Sequence, residues 1–343
     1  MTLPIIGPLQ DFFASLPFPA RLLAAVGLFT LLKPLYRLVR VLTDCYVLGG
    51  IPLATFGPSK NDPSKASWAV VTGATDGIGK EFALQLAKKG FNIVLASRTQ
   101  SKLDAVESEI SSSSSAQVKT VAINFLHATD ADYKRLEAEI SQLKLAVLVN
   151  NVGLSHDKPV LFSEGDVQEM EAIAEINVRA TLRVTRLALP LLQQNKRSLI
   201  LHLGSFAGSI PTPMLSTYAG TKAFLIGFNR ALSYEVASKG VTSLLLNTYF
   251  VSTAMSKIRR SSWSVPTPKQ YVAQTLAKLG RPGSCYEEDR RGREMTVWPQ
   301  HALTEWAVRE FVGLGRASGM SLKSQKVIRA KAIKREERLA KGQ

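Results

Sequence analysis

Residues 67–79, SWAVVTGATDGIG, pass from an unbroken apolar, β-branched run into a glycine-rich turn. A strand with apolar side chains at consecutive positions has both faces covered, as in a parallel sheet lying between helices. The turn that follows, Thr72-Gly73-Ala74-Thr75-Asp76-Gly77-Ile78-Gly79, is spaced Gly-x-x-x-Gly-x-Gly. Glycines there let the backbone turn sharply and approach a pyrophosphate. Free N–H groups and the positive end of the following helix favour the charge of such a ligand. The spacing differs from the G-x-G-x-x-G of the common dinucleotide fingerprint; what marks it as a cofactor loop is its position directly after a buried strand.

Outward from the loop, Ile78, Phe82 and Leu86 recur every four residues and Gly90 ends their helix. Buried-strand patterns follow at 91–96, 118–123 and 145–149, with Tyr133, Leu136, Ile140 and Leu143 on one face of an intervening helix. The alternation continues with a long helix near 167–194, a strand at 198–203, a helix at 215–239, a strand at 241–247 and a short edge strand at 294–298. This predicts an α/β, Rossmann-type, doubly wound parallel sheet of about seven strands over residues 67–300.

The second strand ends in Ala96-Ser97-Arg98-Thr99. An acid at that place would hydrogen-bond the ribose hydroxyls of NAD. Here there is none, and Arg98 can pair bidentately with the extra phosphate of NADP. NADPH is therefore the expected cofactor, with Ser97 and Arg98 at its adenosine end. Tyr218 and Lys222 stand at i and i+4 on a predicted helix, so their side chains share a face. A phenol of pKa about 10 is a poor proton donor-acceptor at neutral pH, and a neighbouring ammonium favours the phenolate. Ser205, at the end of a buried strand, can sit beside the carbonyl oxygen that Tyr218 protonates.

Over residues 68–253 these elements resemble the short-chain dehydrogenase/reductases, with 72–79 as the TGxxxGIG cofactor loop and Asn150-Asn151-Val152-Gly153 as the NNAG element. Asn177, Ser205, Tyr218 and Lys222 fall where that family's catalytic tetrad is expected. The resemblance implies hydride transfer from nicotinamide and a proton from Tyr218. Lys222 would also hold the nicotinamide ribose, Ser205 would orient the carbonyl, and Asn177 would hold a relaying water. It further implies cofactor contacts from Thr72, Gly73, Thr75, Asp76, Gly77, Ile78, Gly79, Asn151, Gly153, Ser252 and Thr253. Asn124 replaces the usual adenine-contacting Asp and keeps an acceptor oxygen, while Tyr249-Phe250 replaces the usual Pro-Gly after the sixth strand.

Longer phrases, WAVVTGATDGIGKEFALQLAKKGFN, LVNNVGLSH ending at His156, and AMSKIRR at 254–260, are similar to the membrane-bound fungal 3-ketoacyl-CoA reductases of very-long-chain fatty acid elongation. That likeness implies a long-chain 3-oxoacyl-CoA substrate, other elongation enzymes as partners, membrane lipid around the anchor, and the endoplasmic reticulum membrane with the catalytic domain in the cytosol. Lys257, Arg259 and Arg260 lie where the family's substrate loop lies and can meet the phosphates of CoA. Arg290, Arg291 and Arg293 are a second choice. Two other readings stay open: a 17-beta-hydroxysteroid or other lipid-ketone dehydrogenase, and a non-catalytic NADPH-binding membrane protein.

The 343 residues suit one large domain with appendages. Residues 1–45 read as a membrane anchor with a basic flank. The apolar stretch 22–32 is too short to span unless Arg21 snorkels or the segment from 13 onward is included. Lys33, Arg37 and Arg40 follow, which places the C-terminal side in the cytosol. Residues 46–66 read as a linker and 301–343 as an amphipathic helix and basic tail. In that helix Leu303, Ala307, Phe311 and Leu314, with Trp306, suit either core packing or a membrane-facing surface beside the substrate entrance. The tail carries much of the +16 net charge without interleaved aromatics, so it reads as a solvated tail and not as a nucleic-acid surface. It ends in 339–343 with one of the two lysines of a dilysine retrieval signal. Cys45 and Cys285 are too few for a disulfide framework. His127, His156, His202 and His301 lack metal-ligand spacing, so no metal is expected.

Overall fold

The computed structural model describes residues 11, 13–285 and 293–340. An N-terminal helix α1 (Phe18–Leu42) precedes β1 (Trp68–Thr72), α2 (Gly77–Lys88), β2 (Asn92–Ser97), α3 (Gln100–Ser113), β3 (Val118–Ala122), α4 (Asp130–Ile140) and β4 (Leu145–Asn150). After β4 come α5 (Val167–Ala174), a π turn (Glu175–Ala180), α6 (Thr181–Leu192), β5 (Ser198–Leu203), α7 (Phe206–Ser209), α8 (Ser216–Ala237) and β6 (Val241–Leu246). The chain closes with α9 (Pro268–Ala277), β7 (Glu294–Met295), α10 (Pro299–Ala307) and α11 (Leu314–Ala340).

The strands form one seven-stranded sheet in the order β3-β2-β1-β4-β5-β6-β7, and every pairing is parallel. β1, β2, β4 and β5 are buried at each position. Alternate side chains feed two separate apolar layers, as a period of two requires. Ala69 and Val71 join Phe82, Leu86 and Phe91 on one face, while Val70 joins Tyr133, Leu136 and Ile140 on the other. Chain order reverses between β1 and β4. The crevice beyond the carboxyl ends of those two strands is where such sheets bind ligands.

The long helix expected near 167–194 is interrupted by the π turn Glu175–Ala180, which carries Asn177. One extra residue in the turn breaks the helical register where a functional side chain must be aimed.

The stretch 46–66 does not swing free. Gly50 and Ile51 donate to the Ala277 and Leu279 carbonyls, Ser59 donates to Gly90, and Phe56 is buried in the core. Its apolar residues give it a surface to hold, which its Gly, Pro and Ser content concealed.

α1 leaves Leu23, Phe29 and Leu31 at least two-thirds exposed. Its 25 residues make a rod of roughly 37 Å, and this length and composition are compatible with membrane anchoring. Arg21 turns back to the Leu16 and Ala14 carbonyls. The far end of α1 is docked on the domain. Val41 and Cys45 pack with Ala302, Leu303 and Trp306, and Arg37 pairs with Glu310 at 2.5 Å. The apolar face expected at 302–314 is thus divided, with Leu303 and Trp306 packed on the anchor's end and Phe311 and Leu314 exposed.

The basic tail is the 27-residue helix α11. Near its start Ala317 packs on Phe206 and Ile210. Farther on, Arg329 pairs with Glu164 at 2.6 Å and Glu336 with Lys158 at 2.5 Å. Lys341 and the end of the tail, with the expected retrieval sequence, lie outside the described residues, as do Arg290 and Arg291.

Candidate active site

The glycine loop is built from the residues on both sides of the strand-order reversal. Gly73 and Gly77 have φ of 64° and 54°, in the left-handed region that favours glycine. A Cβ on Gly79 would collide with the Asn151 amide and the Gly73 carbonyl, so the helix can approach the strand end this closely only without a side chain. Asn151 fastens the arrangement from just past the end of β4, its Nδ2 donating to the Thr72 and Gly73 carbonyls at 3.0 and 3.2 Å. The Thr72 hydroxyl donates to the Val149 carbonyl and accepts from the Asn151 and Val152 N–H groups. Thr72 therefore braces the loop from inside the sheet, with its side chain fully buried.

Asp76 caps α2 by accepting from the Gly77 N–H at 2.7 Å. Thr75 and Ser97 share a hydrogen bond at 2.9 Å, which ties the loop to the end of β2. Arg98 is exposed beside them. It has no acidic partner among the described residues, so its guanidinium is available to a phosphate. Asn124 accepts from the Leu126 N–H through its side-chain oxygen, the acceptor that was expected to meet adenine.

At the other end of the crevice, Ser205 caps α7 and is the neighbour that lowers the Tyr218 phenol. Lys222 is buried, donates to the Leu203 carbonyl at 2.7 Å, and holds its Nζ 5.7 Å from the centroid of the Tyr218 ring. Burial pushes the Tyr218 phenol above its usual range, against a smaller lowering by Ser205. Burial also brings Lys222 down to about 8. The lowering of Tyr218 by the lysine, expected from the spacing alone, is not found: burial raises the phenol and the group that lowers it is Ser205. The result is a protonated phenol, the form that donates a proton.

Asn177 is buried on the π turn. Its amide donates to the Leu154 carbonyl and the Thr221 hydroxyl, both at 2.9 Å, and its Oδ1 accepts from the Leu154 N–H at 2.7 Å. Both amide protons are used, so the side chain acts as a brace between the loop after β4 and α8; its capacity to hold water lies on acceptor oxygens. A Cβ on Gly153 would stand 3.2 Å from Asn177 Oδ1 and 3.7 Å from Lys222 Nζ, which places Gly153 beside the same group.

A strand, a glycine-rich cradle at its switch point, and a Ser, Tyr and Lys constellation at the far end now stand in one crevice. A profile of the short chain dehydrogenase family matches residues 67–263. The chain belongs to that family. Among relatives of this short-chain dehydrogenase, a very-long-chain 3-oxoacyl-CoA reductase of Mycosarcoma maydis is 47% identical over 322 residues, covering 94% of this chain and 91% of that protein. A protein of the same name from Pyrenophora tritici-repentis is 44% identical, covering 93% and 92%. Among solved structures, a short chain dehydrogenase of Escherichia coli CFT073 in complex with NADPH is 25% identical with a TM-score of 0.60, covering 68% of this chain and 97% of that one.

The Tyr249-Phe250 replacement has a structural account in this short-chain dehydrogenase. The Tyr249 ring meets Phe206 edge-on at 4.7 Å, Phe250 at 4.9 Å and His301 at 5.5 Å, so aromatic packing joins the loop after β6 to the residue next to Ser205. Ser252 donates to the Ile258 carbonyl, and Thr253 accepts from the Ser256 N–H. The Thr253 methyl is also the nearest neighbour that a Cβ on Gly77 would meet. In the basic segment, Lys257 is paired with Asp157 at 2.5 Å, Arg259 lines a cleft over the glycine loop, and Arg260 is exposed and outside that lining. Arg293 is buried, with its guanidinium 3.2 Å from the centroid of the Tyr234 ring, and it faces packing partners.

Three participants escaped the sequence reading. Thr221 takes the Asn177 amide, at a variable position between Tyr218 and Lys222, and Glu169 holds His156 Nδ1 at 2.8 Å from outside any motif. The third is Arg335 of α11, on the wall of the cleft. Its signal was available as the periodic set Ile328, Ala332, Arg335 and Leu339.

Proposed function

We propose that this short-chain dehydrogenase uses NADPH to reduce a 3-oxoacyl-CoA to the 3-hydroxyacyl-CoA in very-long-chain fatty acid elongation. The observation that carries the reading is the nearly full-length identity to reductases of that name, together with a complete Ser205, Tyr218, Lys222 and Asn177 constellation. Bound nicotinamide supplies the hydride. Ser205 orients the substrate carbonyl, Tyr218 donates the proton to its oxygen, and Lys222 holds the nicotinamide ribose and supplies positive charge beside the phenol. Asn177 positions the loop and helix that carry the others.

For the cofactor, Arg98 without a neighbouring acid supports NADPH over NADH. The glycine loop 73–79 with Asn151, Asn124, Ser252 and Thr253 forms the rest of its seat. The Arg259 guanidinium in the cleft supports a phosphorylated substrate, with Lys257 and Arg260 beside it. The exposed apolar length of α1 supports residence in the endoplasmic reticulum membrane beside other elongation enzymes. The basic residues after its apolar stretch support a cytosolic catalytic domain.

The test compares NADPH oxidation by the purified enzyme on a long-chain 3-oxoacyl-CoA and on an oxosteroid. Preferred turnover of the CoA ester is expected; preferred turnover of the steroid would overturn the substrate assignment.

A further inference from the structure

Above the glycine loop lies a cleft of about 940 Å³. Its floor includes Asp76, Gly77 and Thr253, its rim includes Lys158 and Arg259, and its roof is α11. Ile328, Ala332, Arg335 and Leu339 line it, a spacing of four, three and four residues that selects one face of the helix. The same helix is held on the domain by Ala317 against Phe206, next to Ser205. The Arg329–Glu164 and Lys158–Glu336 ion pairs fix its later turns across the mouth of the crevice.

The charges of the cleft single out two residues. Lys80 is paired with Glu109, Lys158 with Glu336 and Lys257 with Asp157. Asp76 is occupied in capping α2, and Glu81 accepts from Gln85. Arg259 and Arg335 line the same space and have no acidic partner among the described residues. They approach it from different sides, one from the loop after β6 and one from the C-terminal helix. A guanidinium is suited to phosphate, because its planar set of donors matches two oxygens at once. The remaining cations of the helix, Lys331 and Lys334 among them, do not line the cleft.

We infer that Arg335 of α11 and Arg259 form a binding site for the diphosphate of an adenine nucleotide. The C-terminal helix is thus a wall of the ligand site and not a solvated tail. Both ligands of the proposed reaction, NADPH and acyl-CoA, carry such a diphosphate. The inference rests on that reading only for the second of them.

The experiment uses the full chain in detergent, comparing Arg335→Gln, Arg259→Gln and their double variant with a Lys331→Gln/Lys334→Gln control that removes the same charge outside the cleft. Thermal melts establish that each variant is folded. NADPH affinity is measured by direct titration without substrate, and KM is measured for a 3-oxoacyl-CoA and for the same acyl group on pantetheine, which lacks the nucleotide. Loss of a charge-assisted contact is expected to weaken binding about tenfold or more in the double variant, with the control unchanged. Weaker NADPH binding assigns the site to the cofactor. A raised KM confined to the CoA ester assigns it to the substrate. Unchanged values in both arms, or equal loss in the control, would overturn the site. Absence of turnover on either thioester by the unmodified chain would refute the acyl-CoA reading, and the NADPH titration alone would then decide the inference.

Discussion

Burial raises the Tyr218 phenol and lowers the Lys222 ammonium to about 8, and both displacements bear on ketone reduction near neutral pH. The phenol keeps the proton it must donate, and the lysine is still mostly charged below pH 8. As pH rises through about 8 Lys222 loses its charge. The kcat/KM for NADPH, which reports the unliganded enzyme, is expected to be level below that point and to fall above it. A profile that stays level well into the alkaline range would show that Lys222 titrates elsewhere or does not hold the cofactor. Arg98 makes a second residue-scale case, since its value depends on a phosphate that only one of two cofactors carries. Arg98→Ala is expected to weaken NADPH binding by about tenfold or more while leaving NADH nearly unchanged. Equal loss of both in a titration would show that Arg98 serves the fold.

The glycine loop, at the scale of elements, is held by a side chain from the residue that follows β4. Asn151 satisfies two carbonyls at the end of β1, and Thr72 returns three hydrogen bonds to the end of β4. Asn151→Leu leaves those carbonyls without their donor and is expected to lower stability by about 1–3 kcal/mol in urea unfolding. NADPH binding should weaken along with it; unchanged stability and affinity would show that the loop holds its shape unaided. The strands around this clamp were legible because burial on both faces leaves continuous apolar runs, as at 67–73 and 198–203. The shared helix of Tyr218 and Lys222 was legible from their i, i+4 spacing. The π turn at Glu175–Ala180 was not, since it depends on what Asn177 must reach and not on any local preference. The placement of α11 was equally hidden. A run of like charges reads as solvated until Lys158 and Glu164, far away in the chain, supply partners for Glu336 and Arg329.

For the whole molecule, the catalytic domain is joined to α1 through packing as well as through the chain, with Val41, Cys45, Ala302 and Trp306 in one cluster. The apolar residues that α1 leaves exposed before that cluster are compatible with membrane anchoring. The full chain is expected to stay with membranes through an alkaline carbonate wash and to be released by detergent; recovery in the wash would contradict anchoring. The most direct test of the whole account is single-substrate turnover of a long-chain 3-oxoacyl-CoA with NADPH by the unmodified chain and by Tyr218→Phe, with NADPH binding measured on both. The account expects NADPH-dependent formation of the 3-hydroxyacyl-CoA, and a loss of about 10² to 10⁴ in kcat in the variant with cofactor binding retained. Wild-type turnover by a folded Tyr218→Phe enzyme would contradict it.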